Sequence, residues 1–298
     1  MEASPEIIEE MSKVRISIVV SHCEDNVGWI SEYIGKNYSI KDITIYSKCG
    51  NEVEGLQELE VLSPTVNVVT LPNVGRNDHT YAYWIKEHYE AIDKDSDGND
   101  IVMFLKDNNR REKRSHRINL LFSHVSESGF GCITKPNCVC GCQDKNVIPM
   151  MQHERKSLES FSLEEYNRLE RDDSNQFLSE QYPNLKSWKE DMGFIIPKSE
   201  TIPVCYEGLF VAQKKQFFNQ PKESWEKMEA SLCRADNLVE GHYAERLWAS
   251  ILSDTDEDSA RAVDEVLSPH ISYVASFLNC LPVVGSTFIH VDARITIP

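Results

Sequence analysis

A chain of 298 residues, 41% hydrophobic and 27% charged, is long enough to bury a full core and has the balance of a globular protein. Its net charge of −17 excludes a nucleic-acid backbone or an anionic membrane as the main partner, because both repel such a chain. A small anionic ligand stays open, since one local cluster of Arg and Lys can act inside an acidic protein.

Residues 1–13 are acidic and helix-prone, without the apolar core of a signal peptide. No window approaches the ~20 apolar residues of a membrane span; residues 271–284 come closest and are broken by Asn279 and Pro282. The chain therefore reads as soluble and cytoplasmic. Nine cysteines is an odd number, and Cys23, Cys49, Cys205, Cys233 and Cys280 are scattered. That pattern fits reduced cytosolic thiols better than a disulfide framework.

Residues 14–20 are a continuous β-branched run ending in Ser21-His22-Cys23-Glu24-Asp25-Asn26, as in a strand buried on both faces. Trp29, Tyr33 and Ile34 give a short helix, and residues 43–46 a second strand. A third strand, residues 66–71, leads through Pro72-Asn73-Val74-Gly75-Arg76 into a helix. Asn77 or Asp78 would cap that helix, with Tyr81, Ile85, Tyr89 and Ile92 as its buried stripe. Residues 101–105 form a fourth strand, followed by Asp107-Asn108-Asn109.

Beyond it come a helix over 118–125 and a short strand over 130–134. Residues 135–202 read as an insertion or lid with short helices near 163–169 and 176–179. A strand pattern returns over 204–212, then helices near 222–233 and 240–252, then an extension over 253–298. Strands alternating with helices, with polar residues gathered at strand ends, predict a single α/β domain. Its sheet is mostly parallel and Rossmann-like, and a ligand cleft lies at the carboxyl ends of the strands.

Asp107 and Asn109 offer oxygen ligands of the kind Mg²⁺ or Mn²⁺ takes, and the turn-forming reading of the same triplet is equally open. The basic run Arg110, Arg111, Lys113, Arg114 and Arg117 suits phosphates or a solvated helix face. Residues 93–100 imitate half of a calcium loop but lack the closing Glu, and read as a helix-to-strand turn. Cys132, Cys138, Cys140 and Cys142 form the densest thiol cluster, a candidate for Zn²⁺ at tighter spacing than ordinary knuckles. No nucleophile elbow, phosphate loop or dinucleotide glycine signature is present. In the helix over 240–252, Glu245 could serve as a general base facing the cleft, or pair with Arg246 or Arg76.

Several of these pieces occur in a familiar order: Val19-Val20-Ser21-His22-Cys23-Glu24-Asp25, Leu71-Pro72-Asn73-Val74-Gly75-Arg76 with His79-Thr80-Tyr81, Phe210-Val211-Ala212, and Glu245-Arg246-Leu247-Trp248. Over residues 14–252 the chain resembles an uncharacterised family, frequent in fungi, related to glycosyltransferases of the GT-A fold. The resemblance implies a GT-A-like sheet, a nucleotide-sugar donor and an unknown acceptor. It implies donor contacts from Glu24, Asp25, Asn73, Arg76 and His79, a divalent cation (Mn²⁺ or Mg²⁺) at Asp107 and Asn109, and an acceptor base at Glu245 or Glu207. The chain has one carboxylate in Asp107-Asn108-Asn109 where two aspartates are expected. Two other readings therefore stand beside the enzyme. One is a non-catalytic binding or scaffold protein of the same fold, the other a zinc-dependent interaction module on Cys132, Cys138, Cys140 and Cys142.

Overall fold

The computed structural model describes residues 14–34, 38–95, 100–110, 121, 122, 125, 129–132, 154–158, 181–196, 201–205 and 208–252. Strands β1 (Arg15–His22), β2 (Ser39–Ser47), β3 (Val66–Thr70) and β4 (Ile101–Lys106) are mutually parallel, paired in the order β3-β2-β1-β4. Their helices are α1 (Trp29–Ile34), α2 (Leu56–Glu60) and α3 (Arg76–Asp95). Beyond β4 the sheet continues with β8 (Phe210–Gln213), antiparallel to it, and then β5 (Phe130–Cys132). A separate two-stranded sheet joins β6 (Glu154–Ser157) to β7 (Thr201–Val204). Helices α4 (Leu185–Met192), α5 (Lys222–Leu232) and α6 (Val239–Leu252) complete the described chain.

The continuous apolar run of β4 is explained by burial on both faces. Alternate side chains go to opposite sides of the sheet. Ile101, Met103 and Leu105 join Ile16, Ile18 and Val20 of β1 against Trp29, Ile30 and Ile34 of α1. Val102 and Phe104 join Val19 against Tyr81, Trp84 and Ile85 of α3 and Trp225 and Trp248 of α5 and α6. The result is an α/β architecture with helices on both faces, as the alternation of elements predicts. Tyr81 and Ile85 of the predicted α3 stripe are fully buried and Tyr89 partly so; nothing is described of the Ile92 side chain.

Three expectations change. The strand predicted over 204–212 is two strands in two sheets, β7 and β8. The break falls at Gly208, whose φ of +61° suits a residue without Cβ, and whose carbonyl accepts a 2.7 Å bond from the Tyr81 hydroxyl. Within the 135–202 stretch, α4 sends Leu185, Trp188 and Met192 into the same core as α5 and α6. That helix is well specified locally: the Asn184 side chain accepts from the Ser187 N–H at 2.8 Å, and Gly193 ends it at φ +74°. Cys23 and Cys49 are not free thiols but are joined in a disulfide, because the parallel pairing of β1 with β2 brings the two strand ends side by side.

The predicted turn over 93–100 ends in an ion-paired carboxylate. Asp100 is bonded to Arg15 at 2.7 Å and to Lys214 at 3.4 Å, tying the start of β4 to β1 and to the end of β8. Leu121, Phe122 and Val125 are helical and buried, in line with a helix over 118–125. The short helices expected near 163–169 and 176–179, the basic residues Arg111, Lys113, Arg114 and Arg117, and residues 253–298 lie outside the described residues. Among the described residues no helix is long and apolar enough to cross a membrane.

Candidate functional site

The chain leaves β1 toward β2 and β3 on one side, then returns across β1 to β4 on the other, with α1 and α3 on opposite faces. In α/β sheets such a reversal opens a crevice at the carboxyl ends of the strands on either side, where ligands bind; here those strands are β1 and β4. Asp107 follows β4 directly and the Cys23-Glu24-Asp25 turn follows β1. The two ends are stitched together. Asp107 Oδ2 accepts from the backbone N–H groups of Cys23, Glu24 and Asp25 at 2.6, 2.9 and 3.1 Å. Its backbone carbonyl accepts from the Trp29 indole at 2.8 Å.

Successive N–H groups converging on one anion form a nest of the kind that binds phosphate in other sites. Here the nest holds a carboxylate of the same chain. The Cys23–Cys49 disulfide and a 2.8 Å bond from the Asn51 amide to the Cys23 carbonyl hold the same turn from the β2 side. Glu24, assigned a ligand contact by resemblance, is exposed and Asp25 half-buried, and the N–H of each serves Asp107. Beneath them His22 is buried with neither ring nitrogen hydrogen-bonded among the described residues. Burial lowers its pKa against the opposing pull of Asp107 and Asp25, so the ring is neutral at pH 7.

On the α3 side of the crevice, the chain turns sharply at Gly75 (φ +55°) and Arg76 (φ +49°). The Gly75 N–H donates to the Ala235 carbonyl at 2.7 Å, and the Lys48 ammonium donates to the carbonyls of Val74 and Arg76. The polar turn is therefore fixed by backbone contacts. Asn73 is exposed and Arg76 half-buried. Asp78 does not cap α3. It is buried and accepts a 2.7 Å bond from the Trp248 indole of α6. The first helical bond is instead made by the Gly75 carbonyl, which accepts from the His79 N–H at 3.0 Å.

Burial, with the charge of Glu245 nearby, pushes Asp78 up to about 7, while Lys106 and Lys48 oppose the shift. His242 is pushed down to about 3, by burial and by the charges of Arg76 and Arg246. Lys48, Arg76, Asp78, Lys106, His242 and Glu245 thus share one electrostatic neighbourhood around the strand ends. Within it Glu245 is the one residue of α6 that is not buried, and its carboxylate lies 3.2 Å from Arg246.

Lys48 gives this neighbourhood a measurable pH signature. Burial lowers its pKa from 10.5 to about 8, only partly offset by Asp236 and Asp78. Between those two values the unfolded chain binds more protons than the folded one, so folding stability rises with pH there and is lost as pH falls through about 8. Lys48→Met has no such titration. From pH 8 to about 9.5 the wild type is expected to gain on this variant by about 1 kcal/mol per pH unit in urea unfolding. A wild-type–variant difference that stays constant with pH contradicts the buried amine.

A third group lies between α3 and α5. His79 Nε2 is 3.3 Å from Glu229 Oε1 and 3.2 Å from Cys233 Sγ, and the thiol is 3.1 Å from the same carboxylate oxygen. These three side chains can hold a metal ion. Burial and the charge of Lys48 hold His79 near 4, so its ring is neutral. Burial and Glu229 push the Cys233 thiol up to about 11. Burial works against Glu229, but the Cys233 thiol and the Lys86 ammonium keep its carboxyl below the ordinary value.

Sequence reasoning singled out His79 but missed its partners. Glu229 and Cys233 are four apart, the spacing that shares a helix face, and that spacing alone did not point to a His 150 residues away. Glu207, the Asn109 side chain, Cys138, Cys140 and Cys142 lie outside the described residues. Cys132 is buried in β5 within the main core. Compared with known protein families, with curated proteins and with solved structures, the chain matches none.

Proposed function

We propose that this protein is a glycosyltransferase-like enzyme, GT-A-like in its sheet, that takes a nucleotide-sugar donor at the carboxyl ends of β1 and β4. The observation that carries the reading is the reversal of strand order between β1 and β4, which marks the ligand site of α/β sheets, with Lys106 and the positive-φ Arg76 at the strand ends. Arg76 sits where backbone strain of about 1–2 kcal/mol is expected of a residue with a side chain. Strain kept at a crevice supports a ligand role for that guanidinium. In the reaction, Glu245 takes the proton of an acceptor hydroxyl, whose oxygen bonds to the donor's anomeric carbon as the bond to the diphosphate breaks. The diphosphate departs with its negative charge, which Arg76 and Lys106 offset. Arg246 holds the Glu245 carboxylate in place.

Mn²⁺ or Mg²⁺ at Asp107 fits the arrangement poorly. Three N–H donors already spend Oδ2, leaving one carboxylate oxygen for a cation that takes near-ideal octahedral geometry. Neutralising the leaving group therefore falls to the basic side chains. The same occupied nest favours one second reading, a protein of this fold that binds the nucleotide and transfers nothing.

Calorimetry with a panel of nucleoside diphosphates and nucleotide-sugars tests the proposal. Arg76→Gly should fold within about 1 kcal/mol of wild type, since glycine relieves the positive φ at an entropic cost of similar size. Its affinity should fall at least about 10-fold, the worth of a charge-assisted contact to phosphate. Binding with release of free diphosphate and transferred sugar supports the enzyme, and binding without turnover the second reading. No binding by the folded wild type across the panel, with or without Mn²⁺, defeats both.

A further inference from the structure

We propose that His79, Glu229 and Cys233 form a zinc site with three protein ligands and one open coordination position. The geometry is close to what the ion requires. With bonds of about 2.3 Å to sulfur and 2.0–2.1 Å to nitrogen and oxygen, tetrahedral ligand atoms lie about 3.3–3.6 Å apart. The three atoms here are separated by 3.1, 3.2 and 3.3 Å. An outward movement of a few tenths of an ångström at most brings them onto three corners of the tetrahedron.

The fold positions each ligand independently of any ion. His79 lies in the first turn of α3, and Glu229 and Cys233 lie one helical turn apart at the end of α5. The start of α3 is held against the end of α5 by the Gly75–Ala235 hydrogen bond and by the close approach of Gly75 to Leu232. Lys86 Nζ holds the far oxygen of Glu229 at 3.2 Å, so the near oxygen faces the imidazole and the thiol. Lys86 is a positioning residue for this site, fixing a ligand's orientation as partners beyond the first ring of ligands commonly do.

The donor set selects the ion. One imidazole, one thiolate and one carboxylate suit a borderline-soft cation such as zinc and do not suit Mg²⁺ or Ca²⁺, which take oxygen ligands. Binding releases the Cys233 proton to solvent, and the two resulting ligand charges balance those of the ion. His79 and Glu229 are largely covered, whereas Cys233 is exposed. The fourth position therefore faces solvent and would hold water, as in zinc sites with three protein ligands. The site stands independently of the nucleotide-sugar reading, since none of its arguments uses the crevice.

The full-length protein, stripped with chelator and dialysed against zinc, should retain about one equivalent more than Cys233→Ser treated in the same way. Cobalt loading should give a thiolate-to-metal charge-transfer band that Cys233→Ser lacks. The band should persist when Cys138, Cys140 and Cys142 are all replaced by serine, which separates this site from that cluster. Glu229→Gln should weaken zinc binding, and Lys86→Met should weaken it by about 10- to 100-fold. Cys233 is exposed, so its replacement by serine is expected to leave the fold intact. Equal zinc content in wild type and Cys233→Ser, or a cobalt complex without the thiolate band, would show a hydrogen-bonded trio rather than a metal site and overturn the proposal.

Discussion

Asp107→Ala is expected to lower the unfolding free energy by about 4 kcal/mol, a large share of a domain's net stability. One carboxylate oxygen accepts three backbone N–H groups, at 2.6, 2.9 and 3.1 Å. Hydrogen bonds to a charged group contribute about 1.5–3 kcal/mol each in net terms. Their sum is an upper limit, because water can reach part of the vacated nest. Asp107→Asn keeps an acceptor oxygen but loses the charge, and should cost about half as much. Urea unfolding measures both, and hydrogen exchange locates the effect. In wild type the amides of Cys23, Glu24 and Asp25 should be protected without added metal, and in Asp107→Ala they should exchange freely. A loss below about 1 kcal/mol, or unprotected amides in wild type, would mean the carboxylate does not hold the β1 turn.

Gly75→Ala should cost a similar amount, about 4 kcal/mol, from two separate sources. The φ of +55° at this position costs about 1–2 kcal/mol for any residue with a Cβ. A Cβ there would also lie 2.6 Å from the Leu232 carbonyl oxygen and 2.7 Å from the His79 Cβ. The oxygen belongs to the backbone of α5, so relief requires moving α3 away from α5, at about 1–3 kcal/mol for such overpacking. The movement would also separate His79 from Glu229 and Cys233, so the variant should lose zinc binding along with stability. Unfolding and zinc content measured on one preparation check both halves. A variant as stable as wild type would contradict the tight approach of the two helices.

The parallel part of the mixed sheet was legible because β1 and β4 carry apolar runs that burial on both faces explains, as in residues 101–105, whereas no residue of β3 is buried. The helix after Arg76 was legible from Tyr81 and Ile85 at helical spacing. Less visible was anything that depends on which strand lies beside which. The Cys23–Cys49 bond follows from the pairing of β1 with β2, and neither cysteine's neighbours in sequence announce the other. Asp107 read equally well as a metal ligand or a turn former. Its engagement with the β1 turn follows from β4 lying next to β1. Asp78 carried the signal of a helix cap, and tertiary packing overrode it because the Trp248 indole needed a buried acceptor. The 204–212 run hid a change of sheet, since apolar residues on both sides of Gly208 look the same whichever sheet they join. Arg76 was recognised as a candidate ligand residue, and its positive φ adds a physical reason to keep it one.

The most direct test of the crevice as a binding site is a crystal structure of the protein soaked with a nucleoside diphosphate. Phosphate density at the carboxyl ends of β1 and β4, within hydrogen-bond distance of the Arg76 guanidinium and close to Lys106, is the predicted result. A diphosphate bound elsewhere, or a strand-end crevice that stays empty at saturating ligand with Asp107 still seated on the Cys23–Asp25 amides, would contradict it.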